Sequence, residues 1–199
     1  MRNEPMRNER LLEDPLAIRA LAHPLRLDLL AAVSRAGRIT TAEAAREVEV
    51  SHGLASHHLR QLAKYGFIEQ VPGKDNRERP WRPTASTYRW PDKQPTTAAA
   101  DATDVLEQVM AERVLEDFLR WQQRRSEWSD DWLDGSGIGT CTLHLTAAEL
   151  ASLTAEFEAM VGRYTRDRDP ADAADQPPGT APVDIAYFAV PVGRPAPEA

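Results

Sequence analysis

The run SHGLASHHLRQLAKYGFI, residues 51–68, decides how this chain is read. Ser51 is a good helix N-cap, because its hydroxyl can accept from an amide that the first turn leaves unpaired. In the helix that follows, Leu54, Ala55, His58, Leu59 and Leu62 share one face. Ser56, His57, Arg60, Gln61 and Lys64 share the other, and residues 51–64 contain no carboxylate. Gly66 ends the helix and Phe67-Ile68 opens a strand. A short amphipathic helix whose outward side is hydroxyl, imidazole and guanidinium suits the major groove, where base edges and phosphates are reached by short polar and basic side chains near the helix start. Ser51, His52, Ser56, His57 and Arg60 are the expected groove residues, with Lys64 one turn on and directed to the backbone. His58 falls on the apolar face and is expected to be a core histidine bonded to backbone.

Working upstream, Thr40 or Thr41 with Glu43 opens a short helix through Val48, so that Glu49-Val50 is the turn of a helix-turn-helix. Before it, Asp14 caps a helix with Pro15 at its first position, and His23-Pro24 breaks that helix and starts another, which runs to Gly37. Leu25, Leu29, Leu30 and Val33 form its apolar stripe, and His23 is a junction residue. Downstream, Phe67 to Val71 and Pro80 to Tyr88 read as two strands around a charged tip, Lys74 to Arg79. That tip is a wing, and its Arg77 and Arg79 are suited to phosphates or to an adjacent minor groove.

Beyond Trp90-Pro91 lies a stretch without Gly or Pro, Ala98 to Trp128, read as one long helix. Its row Leu106, Met110, Val114, Phe118 and Trp121, flanked by Val105, Val109, Leu115 and Leu119, predicts a dimer contact with a second copy of the same helix. Thr140 to Leu145 alternates like a strand, Thr146 and Glu149 form a capping box opening a helix through Tyr164, and Val183 to Val192 is expected to return as a strand beside Thr140 to Leu145. The aromatics Trp121, Trp128, Trp132, Tyr187 and Phe188 are candidates for an effector pocket, with dimer core as the plainer use of the same side chains.

Charge is divided unevenly. The whole chain carries a formal charge of -7, yet residues 1–90 sum to +4 and residues 91–199 to -11. A basic reading module joined to an acidic sensor or partner module produces that split. The single cysteine, Cys141, excludes an internal disulfide and a thiolate zinc cluster. No apolar run reaches the length of a membrane span and no secretory signal precedes Arg10, so the expected compartment is the cytoplasm. No phosphate loop, serine elbow or ligand set points to catalysis, and no catalytic residue or cofactor is expected.

Two of these stretches resemble the ArsR-type winged helix-turn-helix regulators of bacteria. Leu21-Ala22-His23-Pro24-Leu25-Arg26-Leu27 is similar to the family's opening motif. Ala55 to Leu62 with Gly66-Phe67-Ile68 is similar to its recognition segment. The resemblance covers about residues 12–90; the part after the wing looks like the C-terminal extension of longer actinobacterial relatives. It implies a sequence-specific transcriptional regulator, a repressor acting as a homodimer on palindromic double-stranded DNA. The metal ligands of many short members are missing here: Thr40 to Val50 has no Cys or His, and Ala98 to Trp128 no His. A non-metal small molecule or a protein partner is therefore the expected effector. The competing reading is a winged-helix protein-interaction module that binds DNA without specificity.

The expected fold is α+β and mainly α: a winged helix-turn-helix, a long dimerisation helix and a small α/β module. The expected organisation is a disordered arm over 1–11, the DNA-binding domain over 12–92, the dimerisation helix over 93–133, the C-terminal module over 134–193 and a tail over 194–199.

Overall fold

The computed structural model describes residues 9–73, 79–91, 94–166 and 177–193. In chain order the elements are β1 (Glu9–Leu11), α1 (Pro15–Leu21), α2 (Pro24–Ala36), α3 (Thr41–Glu47), α4 (His52–Lys64), β2 (Ile68–Gln70), β3 (Trp81–Pro83), β4 (Thr87–Arg89), α5 (Thr97–Gln123), α6 (Asp130–Asp134) and α7 (Ala147–Arg166), with a 3-10 turn at Arg125–Glu127. The chain divides into two compact units, residues 1–113 with 165–182, and residues 114–164 with 183–199.

Local chemistry sets the helix ends of the first unit. The Asp14 carboxylate accepts from Leu16 N at 3.0 Å and Pro15 takes the first helical position of α1. α2 stops at Gly37, whose φ of 67° a residue with a Cβ would adopt at a cost. Thr40 and Glu43 form the expected capping box on α3: the Thr40 hydroxyl accepts from Glu43 N, and the Glu43 carboxylate accepts from Thr40 N at 2.9 Å. Those bonds hold the Glu43 carboxyl below its ordinary pKa.

The core of this unit is Ile18, Leu29, Val33, Leu59, Leu62, Phe67 and Ile68, each at most 1 % exposed. Burying a side chain of that size from water stabilises by about 1.5–3 kcal/mol, so this cluster dominates the energetics that seat α4. β2 and β3 pair antiparallel, Ile68 opposite Pro83 and Gln70 opposite Trp81. Ile39, just before α3, adds a bridge to Trp81, and the Trp81 indole N–H donates to Thr41 Oγ1 at 2.9 Å. The wing is thereby tied to the start of the helix-turn-helix.

Several expectations change here. The arm is ordered from Glu9, not loose to residue 11: β1 runs parallel to β4, and Leu12 is 2 % exposed. The span Pro80 to Tyr88 is not one strand. Thr84 turns away after β3, its N–H donating to Phe67 O at 3.1 Å, and β4 leaves to pair with β1.

The long helix also differs from its expected role. Leu106 is 0 % exposed and belongs to the core of the first unit, with Val109 and Met110 packed against that core. Leu106 therefore leaves the dimer set, because its own chain encloses it. Arg113 donates to the Asp28 carboxylate at 2.9 Å, fastening α5 to α2. The apolar residues that α5 leaves exposed are Val105, Leu115 and Leu119.

In the second unit α7 begins where expected, with Thr146 and Glu149 in a capping box. The two strands expected to flank it are not formed: residues 140–145 and 183–192 belong to no sheet. No described helix is long and apolar enough to cross a membrane.

Candidate nucleic-acid interface

The turn between α3 and α4 is short because Glu49 adopts a left-handed φ of 55° and Val50 N returns to Ala45 O at 2.9 Å. The Ser51 hydroxyl then caps α4, accepting from Leu54 N at 3.3 Å. The first-turn amides of His52 and Gly53 have no acceptor inside the helix, and with the helix dipole they present a positive end to an anion. Behind them α4 buries Ala55, His58, Leu59 and Leu62.

The outward face matches the expected one. Ser51, His52, His57, Arg60 and Lys64 are exposed and Ser56 is half-buried. Leu54 was expected on the apolar face, but in the first turn it stands clear of the core and is 43 % exposed. Arg79 is exposed at the base of the wing, and Arg77 lies outside the described residues. Two other cations of the first unit are engaged in ion pairs: Arg35 with Glu47 and Arg82 with Glu69, each at 2.7 Å.

The C-terminal end of α4 is held by residues that periodicity could not point to. Arg10 donates to Tyr65 O at 2.7 Å and to Gly66 O at 2.5 Å, and its guanidinium lies 4.8 Å from the centre of the Phe67 ring. Thr84 Oγ1 also donates to Gly66 O, at 2.6 Å, and Tyr88 OH to Phe67 O at 2.9 Å. Burial pushes the Tyr88 phenol above its ordinary pKa, which keeps it a donor. These three side chains come from the arm and the strands after the wing, so the angle of α4 depends on both.

His58 is buried as expected but is not bonded to backbone through Nδ1. Its ring lies 4.7 Å from that of His23 and 5.2 Å from that of His57. Nδ1 of His23, Nδ1 of His58 and Nε of Arg26 are shielded from solvent with no hydrogen-bond partner among the described residues. Burial is the first cause that pushes both imidazoles below their ordinary pKa, followed by Arg26 for His23, and by His23, His57 and then Arg26 for His58. The two rings thus join the start of α2 to the middle of α4 in surroundings that favour the uncharged imidazole.

The remaining predicted residues lie elsewhere. Val114, Phe118 and Trp121 are partly buried on α5, and Phe118 stacks on Trp121 at 5.8 Å. Trp128 pairs with Trp132 at 5.6 Å and Tyr187 with Phe157 at 4.3 Å, while Phe188 is 68 % exposed. Of the aromatic residues named for an effector pocket, Trp128 and Trp132 pair with each other. Among the described residues no three His, Cys, Asp or Glu side chains gather as a metal site would require.

The fold and this face define a winged helix-turn-helix. Residues 21–71 match the family described as "Helix-turn-helix domain", which spans α2 to α4 and the first strand of the wing. No curated protein matches the chain. Among solved structures, wild-type MarR from E. coli in its apo form is 18% identical over 73% of this chain and 88% of its own, with a TM-score of 0.31. A MarR mutant from E. coli complexed with operator DNA gives 18%, 73%, 85% and 0.30. A MepR mutant from S. aureus bound to an oligodeoxyribonucleotide gives 16%, 71%, 78% and 0.28. Scores of that size leave the assignment resting on the chain's own elements and on the helix-turn-helix match.

Proposed function

We propose that this chain is a sequence-specific DNA-binding transcriptional regulator of the ArsR type, acting as a homodimer on a palindromic operator and repressing by occupying it. The observation that carries the reading is the outward face of α4, where Ser51, His52, His57, Arg60 and Lys64 are exposed on a helix without a carboxylate. Arg60 and the serines reach base edges, Lys64 and Arg79 reach phosphates, and the helix start seats a phosphate at the dimer's two half-sites. The motif from Leu21 to Leu27 and the recognition segment support the ArsR type. The dimer contact uses Val105, Leu115 and Leu119, the apolar side chains that α5 leaves exposed. A small molecule or partner acting on the acidic second half would then alter the spacing of the two α4 helices.

Selection of bound fragments from the parent genome, followed by competition with random duplex, tests this directly. The reading predicts an enriched imperfect palindrome and a specific complex at least about a thousandfold tighter than the non-specific one. Weak binding blind to sequence would overturn it in favour of a protein-docking winged helix.

A further inference from the structure

Residues 140–145 and 183–192 have the composition of strands but no sheet to belong to. Cys141, Leu143 and Leu145 alternate with Thr140, Thr142 and His144, so one side of the first segment is apolar. The second segment has Val183, Ile185 and Tyr187 on one side and, beyond Asp184, Phe188, Val190 and Val192 on the other. α7 supplies cover for part of this surface. Tyr187 meets Phe157, and the capping box at Thr146 fixes the end of the first segment at the start of α7. The rest is bare. Leu143 is 57 %, Ile185 65 %, Phe188 68 %, Val190 68 % and Val192 87 % exposed, and Leu153 and Met160 on α7 are 44 % and 43 %.

The seven side chains just named are each at least two-fifths exposed, and covering them together would approach the roughly 800 Å² per partner of a stable interface. Two apolar strand-like segments outside any sheet also leave edges that a folded protein normally pairs or blunts. The second segment meets α7 of its own chain through Tyr187 and Phe157, the first runs directly into α7, and the two form no ladder with each other there. We infer that the missing strand comes from a second copy: residues 140–145 of one protomer pair with residues 183–192 of its partner, the two-fold repeats the exchange, and Phe188, Val190 and Val192 are covered across it. This rests on the dimer reading above and adds a second contact, remote in sequence from the exposed residues of α5.

The test uses the full chain in a Cys141→Ser background, which removes the native thiol. Leu143→Cys is placed in a size-tagged copy and Ile185→Cys in an untagged one; both positions are exposed, so neither substitution opens the core. The copies are mixed, equilibrated and treated with a short bismaleimide, which tolerates a shift of register. The inference predicts a cross-linked heterodimer as the main product, and none when Leu143→Cys is replaced by Glu156→Cys. Sedimentation of the cysteine-free parent separates the two claims. A dimeric parent in which the Leu143→Cys/Ile185→Cys double variant closes on itself as a monomer, or in which the mixture yields no heterodimer, overturns the strand exchange and leaves the α5 dimer standing. A monomeric parent overturns both.

Discussion

Removing Arg10 should loosen the far end of α4 although residue 10 lies more than fifty positions away in sequence. Arg10→Ala deletes two donors, to Tyr65 O and Gly66 O, and the guanidinium over Phe67. Gly66 O keeps its bond from Thr84, so the uncompensated loss is mainly at Tyr65 O, worth about 0.5–1.5 kcal/mol, with about 0.5–1 kcal/mol more for the ring contact. Partial exposure lets water replace some of this, which places the expected cost near 1.5 kcal/mol. For a domain of this size that corresponds to a fall of about 5 °C in Tm. Urea unfolding followed by circular dichroism reads it as a lower midpoint with an unchanged slope. Arg10→Lys should recover less than half, since an ammonium cannot span both carbonyls and lacks a planar face to lay on the ring. An Arg10→Ala protein with the wild-type midpoint would refute the clamp.

Other consequences are as specific. Gly66→Ala places a Cβ at φ 72° and 3.3 Å from Arg10 Nη1, and should cost about 1–2 kcal/mol; in the Arg10→Ala background it should cost measurably less, and strict additivity in a double-mutant cycle would count against the contact. His23 and His58 titrate below their ordinary 6.5 in the folded chain, so as pH falls through 6.5 the unfolded chain takes up protons that the folded one refuses. Stability present above that pH is therefore lost on acidification, and His58→Leu should flatten the fall in urea midpoint between pH 7 and 5; an equally steep profile would contradict this. Leu106→Ala should destabilise by about 2–5 kcal/mol in unfolding experiments because the site is a closed core. Leu115→Glu should instead weaken dimerisation in sedimentation runs with little change in stability, and the opposite pattern would return Leu106 to the dimer face.

The helix-turn-helix was legible because its signals are local. Asp14, Thr40, Ser51 and Thr146 are caps whose partners lie two or three residues away, and Gly37 and Gly66 mark stops by needing a positive φ. The outward face of α4 was legible for the same reason, since the helical period separates Arg60 and Lys64 from Leu59 and Leu62. What could not be read is what depends on distant partners. Nothing in the arm's composition marks Arg10 as the clamp on Tyr65 and Gly66, or Glu9–Leu11 as the partner of β4. The apolar stripe of α5 is visible, but periodicity does not say that its Leu106 end is buried in its own domain while Leu115 stays outside. The alternation in residues 140–145 and 183–192 is likewise plain, and alternation alone does not say which strand lies alongside.

Binding of wild type and Arg60→Ala to one selected promoter fragment, measured across a series of salt concentrations, tests the role of α4 most directly. The account predicts that Arg60→Ala binds at least about tenfold more weakly at every salt concentration. It predicts relaxed discrimination against random duplex, while Lys64→Ala lowers the salt slope by about one and leaves discrimination intact. Affinity, salt slope and selectivity unchanged by Arg60→Ala would contradict it.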